Sequence, residues 1–226
     1  MIQIVVPIRP KSLTDGKLLL EAAHAAAPDF IEIWCDLLKE NEATALIEES
    51  DLPIIANLKD QTEQGEFSGT EVARRERLVK LSACKNIAYI DLPWHLIDEQ
   101  ILSEIKSPII ASYHNFLNTP AADDLIKMVN KLPLAKIDLI KIATMVNLES
   151  QTVDLNSLAE VANYKPISEK LVLLGMGEAG IETRLKADKW GSKLTFAALD
   201  RKNTTAPGQV TVEELRAYWS LRVLKK

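Results

Sequence analysis

The chain has 226 residues, 47% of them hydrophobic and 26% charged, with a formal net charge of −5 and a pI near 5.4. That acidic balance argues against a general nucleic-acid binder, which carries a basic face, and no apolar stretch approaches the roughly 20 residues that span a bilayer. Two cysteines, Cys35 and Cys84, are too few and too separated for a zinc site or a disulfide framework, so they read as reduced thiols in a cytoplasmic protein.

The first apolar run, I-Q-I-V-V-P from residue 2, predicts an immediate strand. It lacks the basic start, longer apolar stretch and small-residue cleavage site of a signal peptide. L-T-D-G-K-L-L-L-E-A-A-H-A-A follows with apolar residues three and four apart, which predicts a helix with Thr14 or Asp15 as its cap. Strands two, three and four are F-I-E-I-W from residue 30, P-I-I-A-N-L from 53 and N-I-A-Y-I-D-L from 86. Between the last two lies T-E-V-A-R-R-E-R-L-V-K-L-S-A-C, a helical pattern capped by Ser68 or Thr70. P-I-I-A-S-Y from 108 is strand five, and Thr119-Pro120 opens the helix T-P-A-A-D-D-L-I-K-M-V-N-K-L. I-D-L-I-K-I-A from 137, K-L-V-L-L-G-M from 170 and K-L-T-F-A-A-L from 193 complete the strands, and V-E-E-L-R-A-Y-W-S-L-R-V-L-K-K forms a closing helix.

Each strand run is continuously apolar rather than alternating, which suits parallel strands buried on both faces. Eight of them alternating with helices, with no doubling into halves and no Pro/Gly-rich linker, predict a single (β/α)8 TIM barrel domain over residues 1–226. The active residues of such a barrel sit at the C-terminal ends of the strands and in the loops that follow them.

The unusual polar residues fall there. Glu32 interrupts strand two, Glu63 lies in the loop after strand three, and His114 ends strand five. Lys141 stands inside the apolar run of strand six, Arg184 follows strand seven, and T-A-P-G-Q from Thr205 follows strand eight. A lysine in a strand more often snorkels or pairs with a carboxylate, a strand-end histidine is more often structural, and Arg184 has Glu178 and Glu182 nearby as partners. Convergence of an amine, an imidazole, a carboxylate and a guanidinium outweighs those readings. A lysine desolvated in a strand is expected to lose its proton readily and act as a nucleophile toward a ketone, with the resulting iminium acidifying the adjacent carbon. An imidazole shuttles the protons, a carboxylate orients it, and an arginine holds an anionic substrate. His24 and His95 lack such company and read as structural. G-M-G-E-A-G (Gly175, Gly177, Gly180) matches a dinucleotide-binding fingerprint with Asp200 about 20 residues on, but too little chain follows to complete that fold, and the turn is expected to orient Arg184.

In this order, the motifs resemble those of the type I 3-dehydroquinate dehydratases over nearly the whole chain. They are P-I-I-A-N-L-K-x-x-x-E to Glu63, A-S-Y-H-N-F-x-x-T-P around His114, D-L-I-K-I-A around Lys141, G-M-G-x-x-G-x-x-T-R to Arg184, W-G-S-K-L-T-F, and T-A-P-G-Q to Gln209. The resemblance implies a metal-free, cofactor-free barrel that removes water from 3-dehydroquinate to give 3-dehydroshikimate. Lys141 then forms an iminium with the C3 ketone, His114 takes a proton from C2 and returns one to the departing C1 hydroxyl, and Glu63 orients His114. Arg184 and Gln209 hold the substrate carboxylate with Thr205 nearby, Glu32 contacts the ring hydroxyls, and Lys59 is a further substrate contact. The family tendency also suggests a homodimer. Departures from the family pattern are Trp34 and Lys59 for two usual arginines, Gln64 for a glycine and Thr205 for a serine. They leave two other readings open, a Schiff-base barrel lyase or aldolase for a different keto acid and a non-catalytic metabolite-binding barrel.

Overall fold

The computed structural model describes residues 2–224. Eight parallel strands form one nearly closed barrel: β1 (Gln3–Ile8), β2 (Phe30–Trp34), β3 (Ile54–Asn57), β4 (Ile87–Pro93), β5 (Ile109–Asn115), β6 (Leu139–Met145), β7 (Leu171–Met176) and β8 (Leu194–Phe196). Each strand pairs with its neighbours in sequence from β1 to β7, and β8 pairs with β1. The seam between β7 and β8 is drawn together by Lys193 N donating to Leu171 O at 2.8 Å. Beside it, Ser192 Oγ accepts from Leu173 N at 3.0 Å and donates to Leu194 O at 2.7 Å. The helices between strands are α1 (Leu13–Ala25), α2 (Glu40–Glu49), α3 (Glu71–Leu81), α4 (Glu99–Glu104), α5 (Ala122–Val129), α6 (Gln151–Ala162) and α7 (Ile181–Leu185), with α8 (Val212–Leu224) closing the ring. The last two residues of the predicted closing helix lie outside the described residues, and no described helix is long and apolar enough to cross a membrane.

Side chains alternate across the barrel wall, because successive Cβ atoms of a strand point to opposite faces. Val5, Phe30, Ile55, Ile110, Leu139, Val172, Leu194 and Phe196 pack together inside the barrel. The intervening residues, such as Ile31, Ile33, Ile90, Leu92, Ile140 and Ile142, pack outward under the helices. On β6, Leu139 and Ala143 thus point inward, and Lys141 between them does the same.

Two expected caps move. Ser12, not Thr14 or Asp15, caps α1, its Oγ accepting from Asp15 N at 3.2 Å. Thr70 caps α3 as expected. Helix α5 begins after Ala121 rather than at Thr119, because the Thr119 hydroxyl is engaged with β6: it donates to Met145 O at 2.8 Å and meets Thr144 Oγ1 at 2.9 Å.

Candidate active site

Three charged residues occupy equivalent places on their strands. Glu32 in I-E-I, Asp91 in I-D-L and Lys141 in I-K-I each lie between two outward-facing aliphatics and so point into the lumen. Lys141 Nζ donates to Asp91 Oδ2 at 2.7 Å and to Glu32 Oε1 at 3.1 Å, and it stands 4.4 Å from the Phe196 ring centroid. All three ionic side chains are buried, Lys141 with 3% of its surface exposed. Ser112 Oγ donates to the other Asp91 oxygen. The other Glu32 oxygen accepts from the Trp34 indole at 2.9 Å.

This arrangement reverses one expectation. Burial by itself lowers the pKa of Lys141, but the charges of Asp91 and Glu32 and their hydrogen bonds overcome it and hold the ammonium well above the usual lysine range. Asp91, pushed up by burial, is pulled further down by Lys141, Lys59 and His114 and stays ionised. The resting Lys141 is therefore a firmly held cation, not a desolvated free base. The lysine whose pKa is lowered is Lys59, through burial and the charge of Lys141.

His114, at the lumen end of β5, lies between two partners. Its Nδ1 is 3.1 Å from Glu63 Oε1 and its Nε2 is 3.2 Å from Lys59 Nζ, while the ring stacks on Phe116 with centroids 6.0 Å apart. Glu63 ends a short 3-10 turn (Gln61–Glu63) after β3. Burial raises its pKa, but His114, Lys59 and Arg74 together hold it at about 2. Arg74 reaches back from α3 to bond the second Glu63 oxygen, Asp60 Oδ2 at 2.8 Å and the Leu58 carbonyl at 2.6 Å. Burial and the positive charge of Lys59 hold His114 at about 4, so its imidazole is neutral near pH 7.

These shifts fix the direction of the acid response. As pH falls below ~6.5, the unfolded chain protonates this histidine before the folded one does, and stability is lost down to about 4. Glu63 adds a second loss below its unfolded value near ~4.3, continuing toward about 2. Thermal scans are expected to show a melting temperature falling steadily from pH ~6.5 downward. A melting temperature flat between pH 7 and 4.5 would contradict the buried neutral imidazole.

Arg184 is placed by α7, which the G-M-G-E-A-G turn packs tightly onto β7. A Cβ on Gly180 would meet the backbone carbon of Gly175 at 2.5 Å, so this glycine serves the close approach rather than a nucleotide. Arg184 is 1% exposed, and neither Glu178 nor Glu182 pairs with it. Its Nη1 donates to Phe196 O at 3.3 Å, while its Nε has no partner among the described residues. Burial pulls its pKa down to about 10. A buried guanidinium without a counter-charge is costly.

One cleft collects these groups: Glu32, Trp34, Lys59, His114, Lys141, Arg184, Thr205 and Gln209 all line it, with Met176 and Phe196 as apolar wall. Of the candidate residues, Glu63 stands one layer behind, touching His114. Gln209 Oε1 accepts from Thr205 N at 2.8 Å, which holds that loop closed on itself. Asp91 and Arg74 were not singled out from the sequence. The I-x-I/L frame that Asp91 shares with Glu32 and Lys141 carried the signal for the first; the second sits in A-R-R-E-R and looks like any solvated helix charge. Trp34 faces the cleft where the family pattern has an arginine, with Arg9 at 4.9 Å and Lys59 at 4.7 Å from its ring centroid. The Cys35 thiol beside it is pushed up to about 12 by burial and is no nucleophile. His24 bonds Ser50 Oγ at 3.2 Å, away from the cleft.

Comparison with known proteins places the chain in a family. The 3-dehydroquinate dehydratase of Methanocaldococcus jannaschii is 32% identical over 221 residues, covering 95% of this chain and 94% of that protein. The chloroplastic bifunctional 3-dehydroquinate dehydratase/shikimate dehydrogenase of Arabidopsis thaliana is 31% identical over 232 residues, and the chain spans 37% of its length. Among solved structures, the type I 3-dehydroquinate dehydratase of Clostridium difficile, with covalently modified comenic acid, shares the fold. Its TM-score is 0.85 at 23% identity, over 100% of this chain and 93% of that one. The type I 3-dehydroquinase family model matches residues 4–225, and the chain belongs to that family.

Proposed function

We propose that the chain is a 3-dehydroquinate dehydratase, a hydro-lyase working through a lysine Schiff base, with Lys141 as nucleophile and His114 as general acid–base. The observation that carries this reading is the cleft itself, which a buried amine, a neutral imidazole and a guanidinium with no counter-charge among the described residues line together.

The carboxylates around Lys141 have a chemical use. The ammonium hands its proton to a hydrogen-bonded carboxylate, the free amine adds to the C3 ketone, and loss of water gives an iminium. That iminium is again a cation at Nζ, so Asp91 at 2.7 Å and Glu32 at 3.1 Å stabilise it as they stabilised the ammonium. Like the ammonium, it owes its charge to a proton on Nζ, which the same two carboxylates hold in place. It withdraws electrons from C2, whose proton His114 Nε2 accepts, and Glu63 stabilises the imidazolium that forms. The imidazolium then protonates the leaving C1 hydroxyl. Hydrolysis of the imine releases product and restores Lys141, for a net loss of one water.

Arg184 supplies the counter-charge for the substrate carboxylate, with Gln209 and Thr205 beside it. Arg184→Met is expected to weaken substrate binding by ~10–100-fold with kcat little changed. The same substitution removes an uncompensated buried charge, so thermal stability is expected to hold or rise. A fall in both KM and melting temperature would contradict this role. A homodimer and a cytoplasmic setting fit the same reading.

The deciding experiment is borohydride trapping with 3-dehydroquinate, read by peptide mass spectrometry, beside an absorbance assay for 3-dehydroshikimate. A reduced adduct on Lys141 together with product supports the proposal. Adducts with other keto acids and none with 3-dehydroquinate would favour a different Schiff-base lyase, and Trp34 is the residue that would then have redirected the cleft.

A further inference from the structure

Two buried lysines share the barrel mouth, and they are held in opposite ways. Lys141 has two carboxylates within hydrogen-bond distance. Lys59, also 3% exposed, has none among the described residues: its Nζ meets only His114 Nε2, at 3.2 Å, and the face of Trp34. Glu63 is ionised and sits on Nδ1, so Nδ1 carries the ring proton and Nε2 is the lone-pair nitrogen. The bond between Lys59 and His114 therefore runs from ammonium to imidazole. The atom that must take a proton from the substrate is covered before the substrate arrives.

We propose that Lys59 caps the Nε2 lone pair of His114 in the empty site and is drawn off it by an oxygen anion of the substrate, so that the base is bared only when the cleft is filled. This rests on the reading of His114 as the general base and makes Lys59 a positioning residue. Nε2 engages one of the three ammonium N–H groups, and the other two lack hydrogen-bond partners among the described residues. A carboxylate is a stronger acceptor than a neutral imidazole nitrogen, and with two oxygens it can meet Arg184 and still compete for that ammonium. Trp34 offers its ring as a resting face for the cation without an acceptor atom to hold it. Its indole N–H also occupies the Glu32 oxygen left free by Lys141.

The titratable and charged groups around Lys59 are the neutral His114 on β5 and the charged Lys141 on β6, Asp91 on β4, Glu32 on β2 and Glu63 in the turn after β3, with Arg9 over the same indole. Glu32 and Asp91 are committed to Lys141 and Glu63 to Arg74 and His114, so none of these carboxylates bonds the Lys59 ammonium. An arginine in place of Lys59 keeps the charge; a methionine keeps the length of the chain and removes it.

The test reads the imidazole nitrogens of His114 by 15N NMR in native, Lys59→Met and Lys59→Arg proteins. Without ligand, Lys59→Met is expected to raise the His114 midpoint by more than about one pH unit toward the ordinary ~6.5, and to move the acid limb of kcat/KM with it. Lys59→Arg is expected to keep the low midpoint. In the native protein, borohydride trapping of 3-dehydroquinate on Lys141 is expected to move the Nε2 resonance toward its uncapped position in Lys59→Met. A midpoint in Lys59→Met that rises by less than about one unit overturns the cap. So does an Nε2 resonance that ignores a trapped adduct, a measurement that needs no variant. Absence of any adduct strikes the dehydratase reading instead, and the ligand-free titration still decides the cap.

Discussion

Lys141→Ala is expected to lower turnover by on the order of 10⁴-fold or more and to abolish the reducible adduct with 3-dehydroquinate, because among the described residues Lys141 alone offers the cleft an amine held by two carboxylates that also stabilise the iminium. The substitution also has a stability effect with a definite pH signature. It leaves Glu32 and Asp91 buried without their cation, which at neutral pH is expected to cost about 3–5 kcal/mol. Lys141 has a raised folded pKa, so its contribution is complete below the unfolded value near ~10.4 and is lost as pH rises through the folded one. Asp91 has a depressed pKa, so its contribution is present above the unfolded ~3.9 and lost as pH falls through the folded value. In the variant Asp91, freed of the cation that holds its pKa down, takes up a proton more easily, and the deficit narrows as the medium becomes acidic. Guanidinium unfolding at pH 8 and pH 5 measures it. A variant as stable as the native protein at pH 8 would show that the ion pairs around Lys141 contribute nothing.

His114→Ala is expected to separate binding chemistry from proton transfer. Turnover should fall by about 10²–10⁴-fold, the usual loss when a positioned acid–base group is removed. The adduct on Lys141 should still form, more slowly, and accumulate, since the nucleophile and its carboxylates are untouched. Intact-mass spectra after borohydride give the adduct yield, and absorbance gives the product. If adduct and product disappear together, the imidazole acts chiefly in making the imine, and the C2 proton leaves by another route. Glu63 keeps Arg74 as a partner in this variant, so the turn after β3 is expected to stay in place.

Much of the fold was legible in the sequence because the signal is repeated. Eight apolar runs of strand length, separated by helical spacing, leave few alternatives to a barrel, and all eight runs contain a strand. What escaped was local. Helix α2 reads E-N-E-A-T-A-L-I-E-E, where only Ala43, Leu46 and Ile47 are buried, too few to show a periodic stripe. Thr119 has the residue type and the following proline of a cap, yet a partner on β6, distant in sequence, takes its hydroxyl.

The site shows the same division. Lys141, His114, Glu32, Lys59, Arg184, Thr205 and Gln209 were named from the chain, and they do line one cleft. Their protonation was not legible, because it depends on which charges meet through space. A lysine in an apolar run reads as desolvated, and only the fold reveals that β2 and β4 each aim a carboxylate at it. Arg74 is the plainest case. Its helix offers three arginines in four residues, and nothing in that run distinguishes the one that folds back under Glu63.

The alternation of the barrel wall has a consequence for how such a chain can change over generations. Glu32, Asp91 and Lys141 reach the lumen only because each keeps its count from the start of its strand, flanked by two aliphatics that lock under the helices. A single inserted or deleted codon upstream within any of these strands turns the charge into the helix layer and two aliphatics into the cleft. The same event in a connecting segment at the opposite rim leaves that count intact. Length variation among descendants of this sequence should therefore gather in those segments, while β2, β4 and β6 keep their reading frame residue for residue.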